Sequence, residues 1–358
     1  MTGAMLGDAH VVVCCGSGGV GKTTTAAAIG LELARAGRRV VVVTIDPAKR
    51  LADALGLPGG LTNDPARLDL TALDGGIDGE LWATMLDTAA TFDGLVRAHA
   101  PSTEQAERIL TNRFYRNIAG ALGGTQEYMA AERLHELHGD GRFDVVVVDT
   151  PPSRDALDFL DAPGVLTRFL DHPLFKLLML PTRRGLKVLN VASQPVLRTI
   201  GKVVGGDVLA DAIAFFQAFD GMETGFRDRA DGVQQLLRSD ATRFVLVASP
   251  KRDTAAEAAF FAGRLRTGGL GVAGLVVNRC TPRFPEPSAR RDDGDPLVRN
   301  HRELAALAEA ERTMLDAVLA EAPDTVSVWV PLLDGDVASL ADLDRIRALL
   351  FDPQGAAG

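Results

Sequence analysis

The sequence is poor in the residues that build covalent or metal-clamped frameworks. Its 358 residues include three cysteines, Cys14, Cys15 and Cys280, and no CxxC pair. That excludes a disulfide scaffold or a cysteine-rich zinc site within one chain, and such sparse usage suits a reducing cytosol. Long runs of Lys or Arg are also missing, and the formal net charge is −9. Nucleic acid is therefore not expected as a main partner, because phosphate backbones demand concentrated positive charge. No stretch reaches the ~18 uncharged apolar residues that would span a bilayer. The nearest, Val165–Leu180, is interrupted by Arg168, Asp171, His172, Pro173 and Lys176. The first residues show no basic-then-apolar leader pattern. These absences together predict a cytoplasmic protein.

What is present is a series of short apolar runs rich in β-branched residues: Val11–Cys15, Val40–Val43, Val145–Val148, Phe244–Ala248, Leu275–Val277 and Val326–Val330. Such runs read as strands buried on both faces of a parallel sheet. Helical patterns lie between them, for example Thr23–Ala36, with Gly37 as its C-terminal stop. The alternation predicts an α/β fold with a doubly wound, mostly parallel sheet, built as one domain over residues 1–358. Two stretches, 79–137 and 163–237, show no strand signal and read as a mainly helical subdomain inserted into it. Residues 281–298, rich in proline and charge, read as a surface loop.

The chemistry is concentrated after the first strand. Gly16-Ser17-Gly18-Gly19-Val20-Gly21-Lys22-Thr23 fits GxxxxGK[ST] at every fixed position, and Thr24 follows. The motif leaves a strand and opens a helix, the context that makes it specific for a P-loop NTPase. Glycines let the backbone wrap N–H donors around phosphates, and the helix N-terminus adds partial positive charge. Lys22 is expected at the β- and γ-phosphates, and the Thr23 hydroxyl on Mg²⁺. Asp46 and Asp149 end two of the apolar strands. In a doubly wound sheet those ends line the ligand crevice, so both carboxylates are candidate Mg²⁺ ligands. The alternative for each is a strand-end Asp that caps the next helix.

The segment Gly16–Thr24 resembles the deviant Walker A loop of the ArsA and guided-entry (GET) ATPases, here of bacterial type. That branch belongs to the group that includes the MinD and ParA ATPases and the nitrogenase iron proteins. Residues 44–55, TIDPAKRLADAL, are similar to its first switch, and residues 149–160, DTPPSRDALDFL, to its second. Asn278 resembles the adenine-recognising Asn, and Pro331 opens a segment like the second adenine-side loop. The resemblance implies an ATPase that sandwiches ATP and Mg²⁺ in a dimer, with Asp46 polarising the attacking water. It also implies switch movement coupled to helical subdomains, which in guided-entry members form an apolar groove for a membrane-protein tail anchor. Arsenite-pump members instead carry a cysteine metalloid site and dock on a membrane channel.

Three departures from that pattern matter. Ser17 stands where the branch keeps a lysine that crosses to the partner's phosphates. Arg154-Asp155-Ala156 replaces the usual Gly-His-Thr, and the metalloid cysteines and the dimer-bridging CxxC are missing. A cation supplied in trans is worth ~10³–10⁵ in rate. The expectation is therefore slow hydrolysis as a homodimer and faster hydrolysis in a heterodimer with a paralogue, unless Arg50 or Arg154 substitutes. A hydrophobic client or membrane-protein partner remains open. The apolar segments Leu166–Met179 and Ile213–Phe219 read either as a client groove or as ordinary core between helices. A nucleotide-dependent switch with little turnover is the alternative function. A MinD- or ParA-like surface cycle ranks lower, because residues 352–358 supply neither an amphipathic helix nor a basic patch. Arg279-Cys280-Thr281 after Asn278 is not the guanine-reading Asn-Lys-x-Asp, which favours ATP over GTP.

Overall fold

The computed structural model describes residues 2–46, 50–57, 59–118, 125–151, 206–219, 221–283 and 295–352, and the single positions 160, 164 and 171. The strands are β1 (Val11–Gly16), β2 (Arg39–Thr44), β3 (Ala66–Arg67), β4 (Glu80–Met85), β5 (Val145–Asp149), β6 (Thr242–Ala248), β7 (Val272–Cys280) and β8 (Val326–Pro331). The described helices are α1 (Thr2–Met5), α2 (Lys22–Arg35), α3 (Arg50–Ala54), α4 (Thr88–His99), α5 (Thr103–Leu110), α6 (Arg113–Ile118) and α7 (Thr125–Gly139). After them come α8 (Gly206–Ala218), α9 (Glu223–Arg238), α10 (Arg252–Thr267), α11 (Pro296–Thr313), α12 (Asp316–Glu321) and α13 (Leu340–Phe351).

The eight strands form one sheet in the order β3-β4-β2-β5-β1-β6-β7-β8. All neighbours pair in parallel except β3, which runs antiparallel to β4. This is the expected α/β P-loop architecture. The interiors of β1, β2 and β5, Val throughout except for Cys14 and Cys15 of β1, are buried at every position. Burial on both faces explains why they read as continuous apolar runs rather than alternating ones. From β1 the chain moves to one side of the sheet for β2 to β5, then crosses to the other side for β6 to β8. The reversal places a crevice at the C-terminal end of β1. Helix α2 stops as expected: Gly37 takes φ 84° just past the C-cap Ala36.

The six apolar runs correspond to β1, β2, β5, β6, β7 and β8. Two sequence expectations need correction. Residues 79–137 are not free of strand, because Glu80–Met85 pairs along the whole of β2. Its sequence, ELWATM, buries Leu81 and Ala83 and leaves Glu80 and Trp82 half-exposed, a period-2 pattern that Glu80 and the short length conceal. Residues 281–298 are not loop throughout. Asp295 caps α11, its side chain accepting from Leu297 N at 2.8 Å, and Pro296 opens the helix, a pairing that proline's missing N–H favours. Residues 284–294 lie outside the described residues.

The chain divides into two compact units: Met1–Leu86, Glu136–Leu157 and Arg238–Gly358 in the first, Asp87–His135 and Asp158–Leu237 in the second. The first contains the sheet. In the second, an aromatic cluster forms the core. Tyr115 stacks on Phe215 at 6.0 Å, Phe215 meets Phe219 at 4.8 Å, and Phe219 meets Phe226 at 5.5 Å. All four are buried. Phe215 and Phe219 of the second apolar segment are therefore core residues of this unit. Leu166–Met179, apart from Asp171, lies outside the described residues.

Candidate functional site

The site is assembled by strand register. Asp149, the last residue of β5, stands opposite Cys14 of β1 on one side and Thr44 of β2 on the other. Gly16, the last residue of β1, stands opposite Val247 of β6. Three strand ends thus converge where the Gly16–Thr24 loop begins. At Gly16 the backbone passes so close to β6 that a Cβ would lie 2.1 Å from the Val247 carbonyl oxygen. Only glycine fits there. Gly18 and Gly19 form the exposed tip of the loop, and Val20 turns back into the core. Gly21 caps α2 in the left-handed region, φ 97°, with no side-chain hydrogen bond to the first turn. The N–H groups at the start of a helix have no partner within it, so this end presents donors and the positive end of the helix dipole.

Lys22 and Thr23 open α2. Lys22 is 6% exposed, and its Nζ donates to the Ser17 carbonyl oxygen at 2.7 Å. Burial lowers the pKa of this ammonium, and the Asp149 carboxylate opposes that shift. Thr23 Oγ1 donates to Asp149 Oδ2 at 2.7 Å, and Thr44 Oγ1 donates to the same oxygen at 2.9 Å. The other carboxylate oxygen of Asp149, Oδ1, is buried without a hydrogen-bond partner among the described residues. Burial pushes the Asp149 pKa up to about 6, against the lowering effect of the two hydroxyl bonds and Lys22. Asp46 lies just beyond β2. Its N–H donates to Thr44 Oγ1 at 3.3 Å, and its Oδ2 lies 3.4 Å from Arg50 Nη1. Thr24 is half-buried in the first turn of α2.

A sequence profile of anion-transporting ATPases matches residues 9–352. The chain belongs to that family. The chain is 30% identical over 337 residues to Protein Rv2184c of Mycobacterium tuberculosis, covering 92% of this chain and 72% of that protein. It is 25% identical over 341 residues to ATPase get3 of Aspergillus terreus, covering 94% and 89% of the two chains. Against ATPase get3 of Neurospora crassa the identity is 24% over 342 residues, covering 94% and 89%. The family match spans β1 to α13 and so includes the whole sheet and the phosphate-loop motif.

Within this family member, the residues expected from the sequence are distributed as follows. Gly16 to Thr24, Asp46 and Asp149 meet at one corner of the sheet. Ser17 is 5% exposed, and its hydroxyl has no hydrogen-bond partner among the described residues; the side chain is turned inward from the loop. Asn278, near the end of β7, reaches the loop: its Nδ2 donates to the Val20 carbonyl oxygen at 2.9 Å. Pro331 ends β8 in register with Cys280, and the next residue, Leu332, donates its N–H to the Cys280 carbonyl at 2.8 Å. Pro47, Ala48 and Lys49 of the first switch segment and residues 152–159 of the second lie outside the described residues, Arg154 included.

The hydroxyl of Thr44 belongs to the site although the sequence offered it no separate role. Its place one residue before the Ile45-Asp46 pair, at a strand end, was the available signal. Cys14 and Cys15 are fully buried, and burial raises the pKa of both thiols, that of Cys15 to about 12. They pack in the sheet as inert apolar groups. His138 contacts the ring of His10 at 6.0 Å. Among the described residues, no group of three or more His, Cys, Asp or Glu is placed to hold a metal ion, and no helix is long and apolar enough to cross a membrane.

The donor set fits a divalent cation beside a polyphosphate. A hydroxyl and a carboxylate are hard oxygen ligands. Among the described residues the buried Asp149 Oδ1 has no hydrogen-bond partner, and a buried unpaired carboxylate oxygen is costly unless something pairs with it.

Proposed function

We propose that this chain is an ATPase of the deviant Walker A group that binds ATP with Mg²⁺ at the Gly16–Thr24 loop and hydrolyses it in a dimer. The convergence of Lys22, Thr23 and Asp149 on the open N-terminus of α2 carries this reading. The loop N–H groups would surround the phosphates. Lys22 would exchange the Ser17 carbonyl for β- and γ-phosphate oxygens. Thr23 and Asp149 would supply oxygens to Mg²⁺, which neutralises phosphate charge when bound, with Asp46 close by. Asp46 would orient and polarise the attacking water. Asn278 and Pro331 would stand on the base side of the nucleotide. The reading carries a cytoplasmic site of action, where ATP is supplied, and a client or membrane partner that senses switch movement.

The inward Ser17 side chain favours a second reading, a nucleotide-dependent switch that turns over slowly alone. It presents no cation toward a facing protomer, and a trans cation is worth ~10³–10⁵ in rate. In that case a paralogous subunit in a heterodimer would supply the missing charge. The test is phosphate release from the purified chain with ATP and Mg²⁺, with and without host-cell extract, beside the Lys22→Ala and Asp46→Asn variants. Release that depends on both residues and rises with extract supports the ATPase and the heterodimer together. Fast release without extract removes the second reading. No nucleotide binding by the wild type removes both.

A further inference from the structure

Asn278 matches a base-reading position, yet its side chain is engaged with the phosphate loop. A carboxamide offers one carbonyl oxygen and two N–H donors. Nδ2 donates to the carbonyl of Val20 at 2.9 Å, and Oδ1 accepts from Arg279 N at 2.9 Å. The second bond accompanies a left-handed Arg279, φ 63°, the one non-glycine residue with positive φ among the described residues. Side chains that carry a Cβ avoid that region.

The strand end that carries Asn278 is fixed from two sides. Thr281 N and Oγ1 donate to the two carboxylate oxygens of Glu311 on α11, at 2.8 and 2.7 Å. Leu332 N donates to the Cys280 carbonyl at 2.8 Å from the exit of β8. Asn278 is thus held on an anchored strand end against the loop. The fit is tight enough to dictate a neighbour: a Cβ on Gly21 would lie 2.2 Å from Asn278 Nδ2. Gly21 therefore answers both to its backbone angle and to the amide that stands over it.

We propose that Asn278 is a positioning residue of the phosphate loop, fixing Val20 and Gly21 so that its loss weakens binding of phosphates that carry no base at all. The inference rests on the loop being a polyphosphate site. It departs from a base-only role, because a residue that touches only adenine leaves a bare polyphosphate unaffected.

The test compares ATP with inorganic tripolyphosphate, both with Mg²⁺, on the full chain by calorimetry. Asn278→Ala is expected to lower the affinity for tripolyphosphate by about tenfold, the equivalent of one buried hydrogen bond. In a double-mutant cycle, Gly21→Ala is expected to weaken tripolyphosphate binding less in the Asn278→Ala background than alone, because the 2.2 Å clash is then removed. Melting curves of the same variants without ligand separate a loss of folded fraction from a loss of affinity. If Asn278→Ala does not fold, Asn278→Ser, too short to reach Val20, takes its place in both measurements. Tripolyphosphate affinity within twofold of wild type, with ATP affinity reduced, overturns the inference and leaves the ATPase reading intact. A wild-type chain that binds neither ligand removes that reading, and the inference with it.

Discussion

The phosphate corner of the first unit and the aromatic core of the second are organised by different means. In the corner, polar groups are placed by backbone register. β5 sits between β1 and β2, so Asp149 must meet Thr44, and the turn out of β1 must bring Thr23 to the same carboxylate. Few side-chain choices are left free. In the helical unit, Phe215, Phe219, Phe226 and Tyr115 hold α6, α8 and α9 together by area and ring contact, which many apolar sequences could satisfy. A site built on register tolerates almost no change at its contact atoms. A core built on area tolerates change in proportion to the volume lost.

The widest separation of the two regions comes from Lys22→Ala. This variant removes the ammonium that bonds Ser17 O, so phosphate release is expected to fall at least about 100-fold, as when a charge-stabilising donor is lost from an active site. Its thermal unfolding should stay close to that of wild type, since burying this ammonium is itself unfavourable. Phe215→Ala should do the reverse. A fully packed aromatic truncated to Ala costs about 3–5 kcal/mol, and hydrogen exchange should accelerate in residues 87–118 and 206–237 with nucleotide affinity unchanged. Equal loss of binding in both variants would erase the distinction between the regions.

The sequence carried the corner because its constraints are local. The glycine spacing, Lys22 and Thr23 lie in one loop, and Asp46 and Asp149 follow unmistakable Val runs. The six strands built on the apolar runs were legible for the same reason. β4 was not, because Glu80 and Thr84 interrupt the apolar pattern of a six-residue strand near the sheet edge. The role of Asn278 was legible only in part. That its amide meets Val20, 258 residues away, depends on how β7 packs beside the loop, and no periodicity encodes it. The inward turn of Ser17 was equally invisible, since a sequence gives a residue type and not its direction.

Asp149→Asn sharpens the comparison by acting on stability and function with opposite signs. Burial raises the Asp149 pKa from 3.8 to about 6, so above that pH the ligand-free fold holds a charge that the unfolded chain carries more comfortably. That destabilisation is absent below about pH 4, grows as pH rises through the interval, and is complete above about 6, on the order of 3 kcal/mol by the usual linkage. Asn carries no charge. The variant is therefore expected to melt higher than wild type above pH 6 and to converge with it near pH 4, while losing the extra stabilisation that Mg²⁺ with ATP confers on wild type. Melting curves across that range, with and without Mg²⁺ and ATP, check both parts.

The smallest effect is expected at Arg50, which lies in the same corner without its rigidity. Arg50 is 58% exposed, and its guanidinium lies 3.4 Å from Asp46 Oδ2. An ion pair so open to water contributes at most about 1 kcal/mol and weakens with added salt. Arg50→Ala should therefore shift the melting temperature slightly and lower phosphate release by no more than a few-fold, an effect that fades as ionic strength rises. Lys22 and Arg50 are both cations close to Asp46, but only Lys22 is held by the loop itself. If Arg50→Ala instead lowers turnover as far as Lys22→Ala does, then Arg50 supplies the positive charge that Ser17 does not, and the boundary between the register-built site and its exposed rim must be redrawn to include the first turn of α3.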